Sequence, residues 1–518
     1  MNRFKQFILN GLLITAVSLV IRTVSVSFNV YLSNKIGAVA MGLFTLISTV
    51  YGFSVTVATS GIGFATTRLV AEYMGKDSES SPAVRCVVGK CVIYALCFSI
   101  GSALVLFFFA PLIGKTLLSD SRTVMPLRVL AITLPPIALS SVFSGYFVAV
   151  RRVYKNAVMQ IVGQASRIFG CVYFLAILCA NDTESACMAV ILGGTISELL
   201  SFLLQYALYL VEKKDKKSQK ISTLEGKAIE KNMLRTALPI AFSAYVRSGL
   251  ITIEHMLIPR GLERSGATRD LALAAYGTVH SMVFPLVLFP SALSGSFAGL
   301  LIPEIAESQA AGNTNRIQRI TDRVFQAVLI FSIGTAGILM CFSYELSDMI
   351  YPNVNAGKYI LMIAPLVPVM YLDTSVDSIL KGLGEQVYCM GVNIVDALLS
   401  VILVWFLLPA CGITGYIITV YFTEIVNATL SITRLMVVSK IKFSVVDRVL
   451  KPLGAIVIAT ATMRFLLSHF SVTVDSAWKL TAHILLTVIL YFLLLWFTGA
   501  IRVPQKARDE TDLSVPSL

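Results

Sequence analysis

The stretch from Ser18 to Ser33, SLVIRTVSVSFNVYLS, sets an arginine in the middle of an apolar run. Wound as a helix it brings Ser18, Arg22, Ser25, Asn29 and Ser33 to one face, because spacings of three and four return the chain to the same side. A guanidinium at the centre of a bilayer costs roughly 3 kcal/mol on insertion scales, so this face must look into a bundle interior or a wet cavity. The pattern recurs in PIAFSAYVRSGLITIEHMLIP, where Ser243, Arg247 and Glu254 stand at the spacings of Ser18, Arg22 and Asn29. Two related helices each aim an arginine at something.

A bundle is also what the composition requires. The chain is 56% hydrophobic and 14% charged over 518 residues, more apolar side chain than one or two soluble cores could enclose. Runs of the roughly 20 apolar residues that a bilayer crossing needs occur about fourteen times. They lie at 8–32, 39–66, 87–111, 126–150, 154–179, 184–211, 236–258, 272–300, 322–343, 359–380, 388–409, 412–438, 447–468 and 480–500. The expected fold class is an all-α polytopic membrane protein, two six-helix lobes in parallel repeat around a central cavity with two further helices at the end. The basic start MNRFKQF leads into an apolar run that no small-residue cleavage site closes, and reads as a retained first membrane helix.

The net charge of +13 could suggest nucleic acid, but no basic-aromatic motif accompanies it and the cations sit in short loops. With both termini in the cytoplasm, the inside collects Arg3, Lys5, Arg151, Arg152, Lys155, the run from Lys213 to Arg235 and the cluster from Arg434 to Lys451. The outside keeps fewer, among them Lys35, Lys115, Arg122, Arg260 and Arg269, and this asymmetry sets the orientation. Nine Cys occur singly, without a C-x-x-C pair or a His/Cys cluster, so neither a disulfide framework nor a structural metal is expected.

The most hydrophilic break, 212–235, separates an N-lobe at 1–211 from a C-lobe at 236–439. Residues 440–503 hold the two added helices and 504–518 form a cytoplasmic tail. SGIGFATTRLVAE in the first half is echoed by SGSFAGLLIPEIAE in the second. A duplicated bundle of this kind is the organisation of secondary transporters, with the site at the repeat interface.

Arg167, in VMQIVGQASRIFG with Gln160 and Gln164, is a third arginine that no loop claims. Guanidinium grips phosphate oxygens as a bidentate fork, so Arg22, Arg247, Asn29 and Arg167 are the candidates for holding a substrate diphosphate. The alternative for Arg247 is a salt bridge with Glu254 that ties helices together. Asn393 and Asp396 share a helix face with Ser400, and Glu424 and Asn427 share one with Ser431. With Glu254 these could line a sodium site or a proton-binding pair, or serve only as interhelical hydrogen bonds. Asp373, Asp377 and Lys381 read as a wet rim or as intrahelical pairs, and Glu198 has no evident partner. His255, beside Glu254, reads as a packed residue. Pro135 with Pro136, Pro285 with Pro290 and Pro365 with Pro368 break or bend their helices. No Walker A loop, nucleophile elbow or metalloprotease helix is present, so an enzyme is not expected and no cofactor beyond a coupling Na+ or H+.

These residues carry a resemblance. IPRGLERSGATRDLALAAYGTVHSMVFPLVLFPSALSGSFAGLLIPEIAES, SGYFVAVRRVYKNAVMQIVGQASRI, TSGIGFATTRLVAE, ILKGLGEQ and the first-helix arginine are similar to the stage V sporulation protein B-like polysaccharide exporters. That family lies in the multidrug/oligosaccharidyl-lipid/polysaccharide exporter superfamily, which includes lipid II flippases. The resemblance implies fourteen helices and movement of an undecaprenyl-pyrophosphate-linked glycan from the inner to the outer leaflet by alternating access. It implies a diphosphate role for Arg22 and Arg247, a cation site drawn from Glu254, Asn393 and Asp396, and a groove for the lipid tail in the last two helices. A monomer is expected, with membrane lipid and cell-wall or glycan synthases as partners and a place in envelope or spore assembly. The competing functions are an organic-cation antiporter, which would want an anionic or aromatic cavity, and a scaffold that transports nothing.

Overall fold

The computed structural model of the protein describes residues 3–76, 82–178, 182–213, 223–352, 354–440, 446–469 and 476–500. The tail at 504–518, residues 214–222 of the basic linker and the side chain of Ser18 lie outside the described residues. Among the described residues there is no strand. Helix α1 (Arg3–Thr59) breaks at Gly37, whose φ of 80° and ψ of 170° suit a residue without Cβ. Gly61 then turns the chain into α2 (Ile62–Lys76). Helix α3 (Pro82–Leu112) runs into a π-helical turn, and α4 (Val124–Ala131) follows. Pro135 and Pro136 open α5 (Leu134–Ala149) and withhold two amide donors, and α4 and α5 are bent by 45° at that break. Next come α6 (Val153–Ile177), α7 (Thr183–Lys213) and α8 (Thr223–Arg264).

The following span is the least regular. It runs through α9 (Arg269–Tyr276), a π-helical stretch Gly277–Val283, α10 (Phe284–Leu288) and, past Pro290, α11 (Ser291–Ala310). Helices α12 (Thr314–Cys341), α13 (Ser343–Ile350), α14 (Gly357–Ile363) and α15 (Val367–Gly382) come next, with Pro365 and Pro368 at the turn between the last two. The chain closes with α16 (Gln386–Cys411), α17 (Ile413–Ser439), α18 (Lys451–His469) and α19 (Ala477–Phe497).

Among the described residues 12 helical stretches are long and apolar enough to cross a membrane, or 13 with the bent pair α4–α5 as one. The first of these, Leu19–Met74, holds two of the expected spans on either side of Gly37. Against the fourteen spans expected from the sequence, the described residues give 12 or 13, the expected 8–32 and 39–66 falling in one helical stretch, and the protein is an all-α multi-pass membrane protein.

Contacts divide the chain into two units. The first joins Met1–Ser296 to Gln386–Asn427, and the second joins Phe297–Glu385 to Ala428–Leu518. In the first, α5 packs between α2, α3 and α7, with Phe143 and Phe147 buried among Val84, Val87 and Ile62, and α16 lies along α8. In the second, α12 packs on α15 and α18, where Phe342, Met463 and Leu480 meet.

Within the first unit α1 touches the irregular span backbone to backbone. A Cβ on Gly42 would overlap the Leu273 carbonyl, and one on Gly277 would overlap the Ala38 carbonyl. At this same end, charged groups tie the segment 113–123 to the segment 260–270. Arg122 Nη2 bonds Asp120 Oδ2 at 2.8 Å and Asp270 Oδ1 at 3.0 Å. Arg269 donates to Glu263 Oε1 at 2.7 Å and to the Leu118 carbonyl at 2.5 Å, with Nε 3.6 Å from Asp120. Arg260 donates to the Thr116 carbonyl and to Ser119 Oγ. Burial alone would raise the Asp120 carboxyl, but hydrogen bonds from Arg122 and the charges of Arg122 and Arg269 outweigh it and hold it below its ordinary value.

Two outcomes follow for thermal unfolding in detergent. Gly42→Ala should cost about 1–3 kcal/mol through forced separation of two backbones. Gly52→Ala, at a position with nothing within 4 Å, should be close to neutral. Asp120→Asn should cost about 1.5–3 kcal/mol near neutrality. Because the folded Asp120 value is depressed, its stabilisation is present above the unfolded carboxylate value of about 3.9 and is lost as pH falls through the folded one. The gap between wild type and Asp120→Asn should therefore close in acid, and a gap independent of pH would mean that the charge is not what matters.

Candidate functional site

Arg22 is exposed in the apolar first part of α1. Its Nη2 donates to the Leu288 carbonyl at 3.0 Å and to Ser291 Oγ at 3.3 Å. Leu288 ends α10, and past it the Ala292 amide bonds the Phe289 carbonyl, so the Leu288 carbonyl takes the guanidinium and the Ser291 hydroxyl instead. Among the described residues Nη1 and Nε of Arg22 have no hydrogen-bond partner, so either edge of the guanidinium can close on an anion once Nη2 releases Leu288. Two turns further along α1, Asn29 Nδ2 donates to the Ser281 carbonyl at 2.5 Å. Ser281 lies in the π-helical stretch, and its hydroxyl shares a hydrogen with Thr45. The polar face read from the sequence is therefore seated along the irregular span.

Arg247 is exposed on α8, with Asp396 of α16 within electrostatic reach. Among the described residues it forms no ion pair with Glu254, so the bridge that the spacing allowed is not made. Arg167 is exposed on α6 and lies within electrostatic reach of Tyr51 on α1 and Glu198 on α7. Glu198, without an evident partner in the sequence, thus has a guanidinium for a neighbour.

The carboxylates gather where helix-face spacing put them. Glu254 accepts a hydrogen bond from Ser400 and lies in electrostatic reach of Asp396. Tyr416 on α17 has both Glu254 and Glu424 in electrostatic reach. Helices α8, α16 and α17 thereby bring three carboxylates into one neighbourhood. Asn393 turns its Nδ2 onto the Cys389 carbonyl of its own helix at 2.7 Å, and Asn427 is buried. Among the described residues no three His, Cys, Asp or Glu side chains converge as a metal-binding group, so these carboxylates are neighbours and not a closed ligand shell.

In the second unit Lys381 pairs with Asp377 at 2.5 Å along α15, one of the intrahelical pairs that the spacing suggested. A hollow of about 590 Å³ there is lined by Ile333, Gly337, Pro365, Ile456 and Val457, with Arg464 among its lining residues. It takes its walls from α12, the α14–α15 turn and α18. Arg464 pairs with Glu345 at 2.6 Å.

The sequence did not single out the acceptors of Arg22 and Asn29, since the nearer acceptor of Arg22 and that of Asn29 are backbone carbonyls, with Ser291 Oγ a second acceptor for Arg22. Pro285 and Pro290 were the available signal: proline in a membrane helix leaves carbonyls that something else must satisfy.

The comparisons with known proteins agree with this architecture. The family model described as polysaccharide biosynthesis protein matches residues 7–308, and the MatE model matches residues 266–406. Stage V sporulation protein B of Bacillus subtilis (strain 168) is 24% identical over 416 residues, covering 79% of this chain and 80% of that protein. Sporulation protein YkvU of the same organism is 20% identical over 366 residues, covering 70% of this chain and 79% of that one. Among solved structures, the lipid II flippase MurJ in an inward closed conformation matches at a TM-score of 0.71 and 13% identity, over 95% of this chain and 100% of that chain. An inward-facing multidrug resistance MATE family transporter of the MOP superfamily matches at 0.64 and 14% identity, over 82% and 99%. At such identities the likeness to the two transporters is one of fold. The family match covers more than half of the chain: it belongs to the polysaccharide biosynthesis protein family.

Proposed function

We propose that the protein is a flippase that carries an undecaprenyl-pyrophosphate-linked glycan, such as a lipid II-like cell-wall precursor, from the inner to the outer leaflet. The observation that carries this reading is the pair of exposed guanidinium groups, Arg22 and Arg247, on apolar helices of one unit. Two cations at membrane depth favour an anion, and a diphosphate offers oxygens for both forks. An organic-cation substrate would meet repulsion from the same two groups. The stage V sporulation protein B relative and the fold in common with MurJ support the same class of cargo.

In this reading residues 1–211 and 236–439 are two repeats that alternate access to the site, and both termini are cytoplasmic. Arg22 exchanges the Leu288 carbonyl for phosphate, Asn29 fixes the irregular span beside it, and Arg247 binds from α8. Arg167 is a secondary contact, since Glu198 already balances part of its charge. Within the second unit, the apolar hollow beside α18 has the kind of lining that a prenyl chain takes. Glu254, Asp396 and Glu424, with Asn393 and Asn427 nearby, would bind the coupling ion, a proton or sodium. The protein acts as a monomer beside the synthases that make or polymerise the glycan.

In proteoliposomes loaded with labelled lipid-linked precursor, Arg22→Ala and Arg247→Ala should each slow translocation by about 10- to 100-fold. That is the worth of a charge-assisted contact of about 1.5–3 kcal/mol. Arg22→Lys should recover only part of the rate, because a point charge cannot reproduce the fork. Unchanged rates at equal protein density would remove the diphosphate from this site.

A further inference from the structure

The irregular span carries a group that the substrate reading does not use. His280 sits in the π-helical stretch Gly277–Val283, between Tyr276 and Phe284. Its ring stacks on Tyr276 at 5.5 Å with an interplanar angle of 8°, and the His255 ring lies 4.3 Å away, edge on. His255 Nδ1 is satisfied by the Tyr276 hydroxyl at 2.7 Å. His280 Nδ1 is buried, and among the described residues it has no hydrogen-bond partner. A buried ring nitrogen without a protein partner, on a partly exposed residue of a π-helical stretch, is an arrangement that calls for an explanation in function.

The neighbourhood decides which form of His280 can exist there. Tyr276, Val279 and Val283 are fully buried, and Ala272 and Leu273 close the same side. From α1 come the hydroxyls of Thr45, bonded to Ser281, and Thr49, bonded to Tyr276. From α8 come His255 and, beside it, Glu254, which is engaged by Ser400 and has Asp396 in electrostatic reach; Tyr416 and Glu424 stand beyond on α17. The charged groups of α9, Arg269 and Asp270, are held in the ionic contacts with the 113–123 segment. Among the described residues no carboxylate thus sits on the His280 ring, and a second imidazole lies 4.3 Å from it. An imidazolium in that place would face hydroxyls and a second imidazole, with no counter-charge among the described residues.

We propose that His280 is a proton-binding site of this protein. It is neutral while the end of the bundle closed by Gly42, Gly277, Asp120 and Arg269 stays shut, and it takes up a proton when that end opens and admits water. Since the charged form fits only the open arrangement, proton uptake and opening are one equilibrium, and acid favours the open state. One proton shifts the open-to-closed ratio by at most ~10-fold per pH unit. The same π-helical stretch is held by Asn29 at Ser281 and runs into α10, whose last residue, Leu288, offers the carbonyl that binds Arg22. The proton therefore acts on the backbone that positions the proposed substrate arginine, which deepens the alternating-access reading and rests on it for its purpose.

Hydrogen exchange of the peptide covering 272–291, in the full-length protein in lipid nanodiscs, tests this without any substrate. After correction for intrinsic exchange, the opening ratio in wild type should rise by roughly tenfold or more between about pH 7.5 and about pH 5.5, across the histidine range. H280Q should hold the neutral-pH value throughout, and H280N or H280F carries the same expectation should H280Q fail to assemble. Asp120→Asn should raise exchange at both pH values while keeping the slope, because Asp120 titrates below this window. A wild type without slope, a slope that survives loss of His280, or a slope abolished by Asp120→Asn would each overturn the proposal. None of these outcomes depends on what the protein transports, so the flippase reading stands or falls separately.

Discussion

A guanidinium in an apolar layer must find oxygen, and in this protein Arg22 finds it at a helix that stops. The carbonyl of Leu288 is open to it because the Ala292 amide turns to Phe289 instead, and it is shared with the Ser291 hydroxyl. The contact uses one nitrogen of the fork and rests on a neutral acceptor, so it holds the arginine in place without neutralising it. Binding an anion then replaces a dipole with a charge, a gain that a preformed Arg–carboxylate pair would not offer. Arg247 makes no ion pair with Glu254 among the described residues, although Asp396 lies within electrostatic reach and balances part of its charge.

The rest of the first unit can be understood as support for that irregular span. Asn29 and Thr45 hold its π-helical stretch, Gly42 and Gly277 let α1 lie against it without intervening side chains, and the 113–123 segment clasps its start through Asp120, Arg122 and Arg269. Backbone contact of this kind is close to all or none: two glycines either meet or separate, and side chains cannot fill a partial gap smoothly. An element held at one end by ions, at its middle by amides and at its far end by an arginine has the parts that a two-state transition needs.

Much of this was legible in the residues, and what was not has a physical cause. Apolar run length gave the spans, and the break at Gly37 explains why two of them appear as one helix. The three-and-four spacing put Arg22 with Asn29, and it put Glu254, Asp396 and Glu424 on faces that do meet. The acceptors on the irregular span were not legible, because every residue has a carbonyl and only the fold says which is free. Nor could spacing along one helix reveal the Glu198 neighbour of Arg167, which comes from α6 against α7. His255 reads as packed and is buried against Tyr276 as expected, but His280 gains its meaning only from a π-helical register that a 3.6-residue period does not anticipate.

The most direct measurement is the position of the diphosphate in a cryo-electron microscopy structure of the protein in nanodiscs with an undecaprenyl-pyrophosphate-linked glycan. Phosphate density should lie against the guanidinium of Arg22 with Nη2 turned from Leu288, with Arg247 as the second cation and the prenyl chain leading away from both. A headgroup bound elsewhere, with Arg22 still closed on Leu288 and Ser291 and no anion beside it, would contradict the role given to the two arginines.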